Sequence, residues 1–418
     1  MTENEILSQL AACKKEAREL RTSHVEKKNA VLLTAAELLL KKSPSILEAN
    51  AKDLAALPGD ASSAFKDRLL LSEERLKQAA DSLQQVAAQQ DPIGEEVSSR
   101  VLENGLKLRQ VRSPLGVILL IFESRPNVAL EAFSLAFKSG NIIILRGGKE
   151  SRHSTAAIYS LLQEALSLNE MSTQLFWGIT DPDRSLVEFL LKQKRFIDIV
   201  VPRGGEGLIN YVVENARMPI IKNDRGLCHV YLHADADPEM SLSIVENAKT
   251  QRPGVCNAME TLLVHESIAD DLLPKMYERL SSKSVRWFCC PRALKVLEGK
   301  SGVAAATDQN WDTEYLDYQL NCRVVPSLEA ALEHIERHGS GHSESIVTAS
   351  PEPARAFQQE VDCAAAYWNA STRFTDGFAF GLGGELGIST QKLHVRGPVG
   401  LRELTSARWI IDGSGQVR

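Results

Sequence analysis

What this sequence lacks narrows its function before any motif is read. There is no basic excess: 48 Lys and Arg stand against 54 Asp and Glu, a formal net charge of −6 over 418 residues. Without a basic stretch there is no electrostatic footprint for a nucleic-acid backbone. Nor is there a long apolar run; a bilayer span needs ~18 apolar residues in succession. The opening stretch, MTENEILSQLAACKKEAREL, is charged and helical in pattern, without the apolar segment of a signal peptide. Cysteines are few, odd in number and never spaced as CxxC: Cys13, Cys228, Cys256, Cys289, Cys290, Cys322 and Cys363. We therefore expect a cytoplasmic protein with reduced thiols, not a disulfide frame or a zinc site. His229, His233 and His265 share no HxH or HExxH spacing, so no metal is expected.

What is present suits a globular α/β protein. Hydrophobic residues make up 44% and charged residues 24%, enough apolar material for real cores. The length favours two or three domains. Residues 1 to about 95 repeat apolar positions at helical spacing, as in Ile6, Leu7, Leu10 and Ala11, with a break at Pro58-Gly59-Asp60. Asn104-Gly105, between short alternating stretches, predicts a hairpin. GVILLIF (116–122) and NIIILRGG (141–148) are apolar runs suited to strands buried on both faces. TQLFWGI and FIDIVVPRGG (196–205) also read as strands. NVALEAFSLAFKSG (127–140) reads as an amphipathic helix ending on Gly140; SRHSTAAIYSLLQEALSL and EGLINYVVENA read as further helices. The alternation restarts near 230 with the helix PEMSLSIVENAKTQ and the strand ETLLVHE. Such alternation predicts parallel sheets flanked by helices, in two domains. The tail LRELTSARWIIDGSGQVR ends in a short strand-like stretch.

Four segments carry candidate chemistry. In RPGVCNAME, Cys256 follows a Pro-Gly turn and precedes a strand; backbone N–H groups there would lower a thiol pKa and hold an oxyanion. The same cysteine also fits a buried structural role, while Cys289 and Cys290 in VRWFCC read as core. PRGGEG places Gly204 and Gly205 ahead of a helix, where a pyrophosphate sits well; a plain strand–helix turn is the alternative. LRGGKE places Arg146, Gly147 and Lys149 beyond a strand end, where a 2′-phosphorylated ribose would be held or where a solvated basic loop would lie. Arg125, Arg225 and Arg373 each occupy a loop of small residues after a strand. Their guanidinium forks suit carboxylates and phosphates, although any one alone reads as a surface arginine.

The segments SPLGVILLIFESRPNV (113–128), SGNIIILRGGKE (139–150), VPRGGEGLI (201–209), KNDRGLCHVY (222–231), QRPGVCNAMETLLVH (251–265), GSGHSESIVT (339–348) and NASTRFTDGFAFGLGGELGIST (369–390) together resemble the aldehyde dehydrogenase superfamily, and within it the gamma-glutamyl phosphate reductase branch. The resemblance runs in order over nearly the whole chain. It implies an aldehyde-dehydrogenase-like fold with two α/β domains and a small β element for oligomerisation. The implied division is a nucleotide-binding domain over 1–230, with a hairpin at 98–112, a catalytic domain over 231–390, and a C-terminal oligomerisation tail over 391–418. It implies that Cys256 is the nucleophile and that NADP is the cofactor, with Glu314 in DTEYLDY touching the nicotinamide ribose. No asparagine in FESRPN matches the superfamily's oxyanion asparagine, leaving Asn257, the Cys256 backbone N–H or Asn127 for that role. KNDRG replaces the superfamily's deacylating glutamate, offering Lys222, Asn223, Asp224 and Arg225 instead.

The implied reaction is reduction of L-glutamyl 5-phosphate to glutamate-5-semialdehyde in proline biosynthesis, by a homodimer or larger homo-oligomer that associates with a glutamate 5-kinase. Two other classes compete with it. A cysteine hydrolase would need a base beside the thiol, and His265 is the nearest histidine in sequence. A redox-inert binding protein would need no reactive thiol at all.

Overall fold

The computed structural model describes residues 1–61, 63–222 and 225–418, apart from the side chains of 63 and 64. Two compact units emerge. The first joins Met1–Asn223 to Gly381–Gly387 and Val399–Arg418; the second joins Asp224–Phe380 to Ile388–Pro398. The boundary expected at 230/231 therefore lies earlier in the chain. A cut there would fall inside a strand, Cys228–Leu232, that is buried along its whole length. The tail expected as a separate element from 391 is divided, with 391–398 in the second unit and 399–418 in the first.

In the first unit the strands are β1 (Glu96–Val101), β2 (Lys107–Pro114), β3 (Val117–Phe122), β4 (Ile142–Arg146), β5 (Phe176–Ile179) and β6 (Ile199–Arg203). The second unit holds β7 (Cys228–Leu232), β8 (Met259–His265), β9 (Arg286–Cys289), β10 (Val303–Ala305), β11 (Gln319–Val325), β12 (Ser343–Val347), β13 (Ala365–Trp368), β14 (Ile388–Ser389) and β15 (Gly397–Pro398); β16 (Thr405–Asp412) returns to the first.

The first unit is built on a parallel sheet of order β5-β4-β3-β6. Every residue of β3, VILLIF, is buried, as a strand covered on both faces requires. From β3 the chain steps outward to β4 and β5, then crosses back to β6 on the other side of β3. The switch point of the sheet thus lies between the carboxyl ends of β3 and β6. The helix Val128–Lys138 is not amphipathic as expected: every residue except Glu131 is buried. It packs on the sheet and against the helices Val25–Lys41 and Glu73–Ala88, so no face is left for water. The hairpin at Asn104-Gly105 forms as expected, with Gly105 at φ +86°. The C-terminal strand then joins it: β16 pairs antiparallel with β2 in unbroken register from Thr405↔Pro114 to Asp412↔Lys107.

The second unit is a seven-stranded parallel sheet of order β10-β9-β11-β8-β7-β12-β13. Successive residues of β7 and β8 point to opposite faces, and two cores result. Val230, Leu262, Val264, Met276 and Trp287 pack on one side; Tyr231, Leu263, Ile346 and Phe357 pack on the other. The expected strand ETLLVHE forms as β8, and all of its residues from Met259 to Val264 are buried.

One buried polar residue ties β16 to the first unit's sheet. Asn141, fully buried, accepts a hydrogen bond from the Gly116 N–H at 2.8 Å and donates to the Leu404 carbonyl and to Ser139 Oγ, each at 2.9 Å. Asn141→Ala strands a buried donor and a buried acceptor together. We expect a loss of about 2–4 kcal/mol, read as a lower urea midpoint for the first unit. An unchanged midpoint would show that β16 is held without this link.

Candidate active site

The loop that carries Cys256 is defined by how its helix ends. Pro238–Thr250 begins on an Asp237 cap, whose side chain accepts from the Met240 N–H at 2.8 Å. Pro253 then disfavours helical backbone at Arg252, and the chain turns through Gly254 before β8 starts at Met259. Cys256 sits half-buried in this turn, ahead of the amino end of β8. The preceding helix presents its electronegative end to the loop, so its dipole offers a thiolate no help.

Positive charge comes instead from Arg373. Its guanidinium is half-buried, which pulls its pKa down, and it lies close enough to interact electrostatically with Cys256 and Arg252. Its Nε–H donates to Gln251 Oε1 at 2.8 Å and its Nη1–H to Asn257 Oδ1. Asn257 is thereby placed beside the thiol but engaged elsewhere. Its Nδ2 donates to the Thr375 carbonyl at 2.8 Å and more weakly to that of Arg373, while Thr372 Oγ1 donates to the Asn257 carbonyl. The amide pins the loop 371–375 and presents no spare donor to an oxyanion, contrary to the expectation for this side chain.

Behind Cys256 the fit is closer still. A Cβ built on Gly226 would fall 1.7 Å from the Cys256 carbonyl oxygen and 2.6 Å from its Cα. The Cys228 thiol donates to the same carbonyl oxygen at 3.3 Å. The Gly226 N–H donates to Glu314 Oε1 at 2.9 Å, which commits one oxygen of the expected ribose contact. Arg225 is exposed, with its Nη1–H on the Asp312 carbonyl at 3.3 Å. Asn223 and Asp224, singled out in the KNDRG segment, lie outside the described residues.

The other cysteines differ from Cys256. Burial pushes the thiols of Cys13 and Cys363 up to about 12 and that of Cys228 well above its ordinary value. Cys289 is core in β9, as expected; Cys290 packs against the same core, half-buried, and also caps the helix Pro291–Val296, its sulfur accepting from the N–H groups of Ala293 and Val324. His265 is no partner for Cys256. It stands at the far end of β8, roughly 20 Å along a seven-residue strand at ~3.3 Å per residue. There it caps the next helix and bonds Ser267 Oγ at 2.8 Å.

Sequence reasoning missed a charged pair in this unit. Lys249, in the last turn of the helix Pro238–Thr250, is fully buried, and its Nζ donates to Glu260 Oε2 at 2.8 Å. Burial raises the Glu260 carboxyl to about 7 and lowers the Lys249 ammonium. The signal was a carboxylate inside the apolar strand METLLVH, which has to find a partner. Arg252 was missed for lack of any local pattern.

The remaining candidates lie in the first unit, at the carboxyl ends of its strands. Arg146, closing β4, donates to the Pro182 carbonyl at 2.9 Å, while its buried Nε–H has no hydrogen-bond partner. Lys149 is exposed beyond it. Gly147 is needed for space, since a Cβ would meet Phe122 and Thr155 at 3.1 and 3.2 Å. The Gly205 N–H, at the start of the helix Glu206–Asn215, donates to Glu123 Oε2 at 2.8 Å, and Gly204 lies under the same carboxylate. The anion at this helix terminus is the chain's own exposed Glu123 carboxylate. Arg125 is half-buried after β3; Asn127 is exposed and makes no side-chain cap. An unpaired guanidinium N–H and an anion-holding glycine turn together suit a phosphorylated dinucleotide. Among the described residues there is no cluster of three or more His, Cys, Asp or Glu side chains placed to hold a metal, and no helix long and apolar enough to cross a membrane.

Comparison with known proteins gives a consistent picture. The aldehyde dehydrogenase family model matches residues 1–286. A gamma-glutamyl phosphate reductase from Nitratiruptor sp. is 47% identical over 410 residues, covering 98% of this chain and 99% of that protein. One from Moorella thermoacetica is 49% identical over 403 residues, 96% of each. The crystal structure of gamma-glutamyl phosphate reductase from Thermotoga maritima superposes with a TM-score of 0.94 at 41% identity, covering 99% of this chain and 100% of that one.

The packing at Gly226 makes a paired prediction. Gly226→Ala forces a methyl into the Cys256 peptide and should destabilise the protein by about 3 kcal/mol. Gly207→Ala, in a helix and with nothing within 4 Å of the added carbon, should be neutral or stabilise by up to about 1 kcal/mol. Thermal unfolding of the two variants side by side decides it; equal midpoints would mean that the Cys256 turn yields freely.

Proposed function

The chain belongs to the aldehyde dehydrogenase family and, within it, to the gamma-glutamyl phosphate reductases, and from that premise we propose that this oxidoreductase reduces L-glutamyl 5-phosphate with NADPH to L-glutamate 5-semialdehyde and phosphate, in the cytoplasm, as a step of proline biosynthesis. The observation that carries the proposal is the half-buried Cys256 thiol in a turn beside the desolvated Arg373 guanidinium.

In this reading the Cys256 thiolate attacks the acyl carbon, a C–S bond forms, and the C–O bond to phosphate breaks. Phosphate leaves as a stable anion and needs little acid assistance. Arg373, with Arg225, holds the carboxylate and phosphate groups of the substrate; a chain of net charge −6 has to supply that positive charge locally. With the Asn257 amide committed to loop 371–375, the oxyanion takes its donors elsewhere, at ~3–4 kcal/mol for a well-placed donor. Bound NADPH supplies the hydride that turns the thioester into the aldehyde level. Arg146 and Lys149 would hold its 2′-phosphate, and Gly204 and Gly205 its pyrophosphate. The exposed Val97, Val101, Trp409 and Ile411 of the small sheet support its use against a second copy, and a kinase that makes the labile acyl phosphate is the fitting partner.

Water is the competitor to exclude. Glu260, four residues beyond Cys256, is the only carboxylate in the segment QRPGVCNAMETLLVH. It is 1% exposed and paired to Lys249, so it cannot deprotonate a water at the thioester. The acyl-enzyme should therefore wait for phosphate.

Cys256→Ser should abolish turnover in a folded protein, since a serine hydroxyl without a strong base is a far weaker nucleophile; near-normal rates would remove Cys256 from the mechanism. In the oxidative direction, NADPH formation from glutamate-5-semialdehyde and NADP should depend on added phosphate, with arsenate as a substitute. Without either, it should stop near one equivalent per active site. Steady NADPH production in phosphate-free buffer, with free glutamate as product, would establish hydrolysis instead.

A further inference from the structure

The Lys249–Glu260 pair brackets the Cys256 loop. Lys249 is the penultimate residue of the helix before the loop, and Glu260 is the second residue of the strand after it. Their hydrogen bond at 2.8 Å, with side chains 0% and 1% exposed, closes the loop at its base. Glu260 does more than answer Lys249. Its other oxygen, Oε1, accepts from the Leu316 N–H at 3.3 Å.

Leu316 belongs to a segment that is fixed independently. Tyr315 stacks on Phe288 with ring centroids 5.4 Å apart, and its hydroxyl bonds Asn321 Oδ1 at 2.8 Å. Leu316 itself holds φ +54°, a left-handed backbone that leucine rarely adopts. Such a conformation persists only where the surroundings enforce it. Its carbonyl oxygen lies 3.6 Å from where a Gly254 Cβ would be, so this peptide rests on the Cys256 loop. Two residues back, Glu314 takes the N–H of Gly226, the residue packed against the Cys256 carbonyl. The contacts form a ring: Lys249 to Glu260, Glu260 to Leu316, Glu314 to Gly226, and Gly226 to Cys256.

We propose that Glu260, neutralised by Lys249, is a positioning residue that locks the Cys256 loop to the 314–316 segment and so sets the placement of the thiol. The inference rests on the reading of Cys256 as the nucleophile. Glu260 is not catalytic, because both of its oxygens are engaged and it is closed to solvent. A buried ion pair adds little to stability: replacing both partners with apolar residues is often neutral or stabilising, whereas removing one leaves a buried charge. Its worth here lies in geometry. A displacement on the order of 1 Å at a reacting group costs roughly a hundredfold in rate.

The test separates geometry from stability. In Lys249→Met/Glu260→Met both charges are gone, and the link to Leu316 goes with them. The urea midpoint should stay equal or rise. kcat in the oxidative assay should fall ~10- to 100-fold, while KM for NADP changes less than about threefold by the same argument, since the affected step is the attack by Cys256. Glu260→Gln keeps an acceptor for the Leu316 N–H and should recover part of the loss if it folds. The rate at which iodoacetamide alkylates Cys256, followed by peptide mass spectrometry, should shift in parallel with kcat. A folded double-Met variant with wild-type kcat and wild-type alkylation would overturn the proposal. The alkylation readout does not depend on what Cys256 does: an active Cys256→Ser enzyme would refute the nucleophile, whereas unaltered Cys256 alkylation in the double-Met variant would refute the positioning role.

Discussion

Where the chain enters β7 it passes so close to the Cys256 peptide that not one carbon fits between them. A Cβ at Gly226 would sit 1.7 Å from a carbonyl oxygen, less than half of an ordinary contact distance. Much of the second unit's site follows from that approach. With no side chain at 226, the Cys228 thiol two residues later reaches the same carbonyl, and the Gly226 N–H is left to be satisfied by Glu314. The Cys256 carbonyl is thus turned inward and held there. A reactive turn needs this kind of restraint: the thiol has to be reachable, and its backbone must not swing.

Charge is distributed in the unit on the same logic. Arg373 is held at the surface of the turn by Gln251 and Asn257, half-buried and so poorly hydrated. A guanidinium in that condition gains more from an arriving anion than a fully hydrated one would. The carboxylate of Glu260, by contrast, is withdrawn from the surface and matched to Lys249. A free carboxylate beside Cys256 would oppose both the thiolate and an anionic substrate. Buried and neutralised, it fixes the loop without contributing negative charge to it.

Local pattern carried some features and not others, for physical reasons. The strands of the first parallel sheet were legible because a strand covered on both faces is apolar, as in VILLIF and NIIIL, whereas in the second sheet β7, β10 and β11, mixed or short, went unread. The hairpin was legible because Asn-Gly is one of the few pairs that accept its turn. The helix Val128–Lys138 was misread because sparse polar residues suggest a wet face, yet Ser134, Ser139 and Lys138 are all buried with internal partners; the Lys138 Nζ donates to the Ala87 carbonyl at 2.9 Å. Asn257 was misread because adjacency to a cysteine says nothing of which neighbour captures an amide. The partner in this case, loop 371–375, lies more than a hundred residues away in sequence. Pairings of that range leave no local trace, and β16 on β2 is another of them.

The position of Cys256 also shows why a fold-level rule alone does not find this site. Ligands in parallel α/β sheets generally gather at the carboxyl ends of the strands, and the first unit's candidates obey that rule. Applied to the second unit, it leads to the turns after β7, β8 and β12, where His233, Asp235, His265 and Ser350 converge in a fair imitation of a hydrolase's machinery. The hydrogen bonds refute the likeness. Burial would raise the Asp235 carboxyl, but Ser350, Thr348 and His233 all donate to it and hold it well below the usual carboxylate range. Every one of those donors lies in the same pair of turns, so the carboxylate staples the ends of β7 and β12 together and has nothing left to offer a substrate. Cys256, at the opposite end of β8, has what that cluster lacks. It is half-buried rather than sealed, its carbonyl is fixed from behind, and the charge beside it is positive. In this unit burial and neighbouring charge set the two turns apart, and the strand polarity decides nothing.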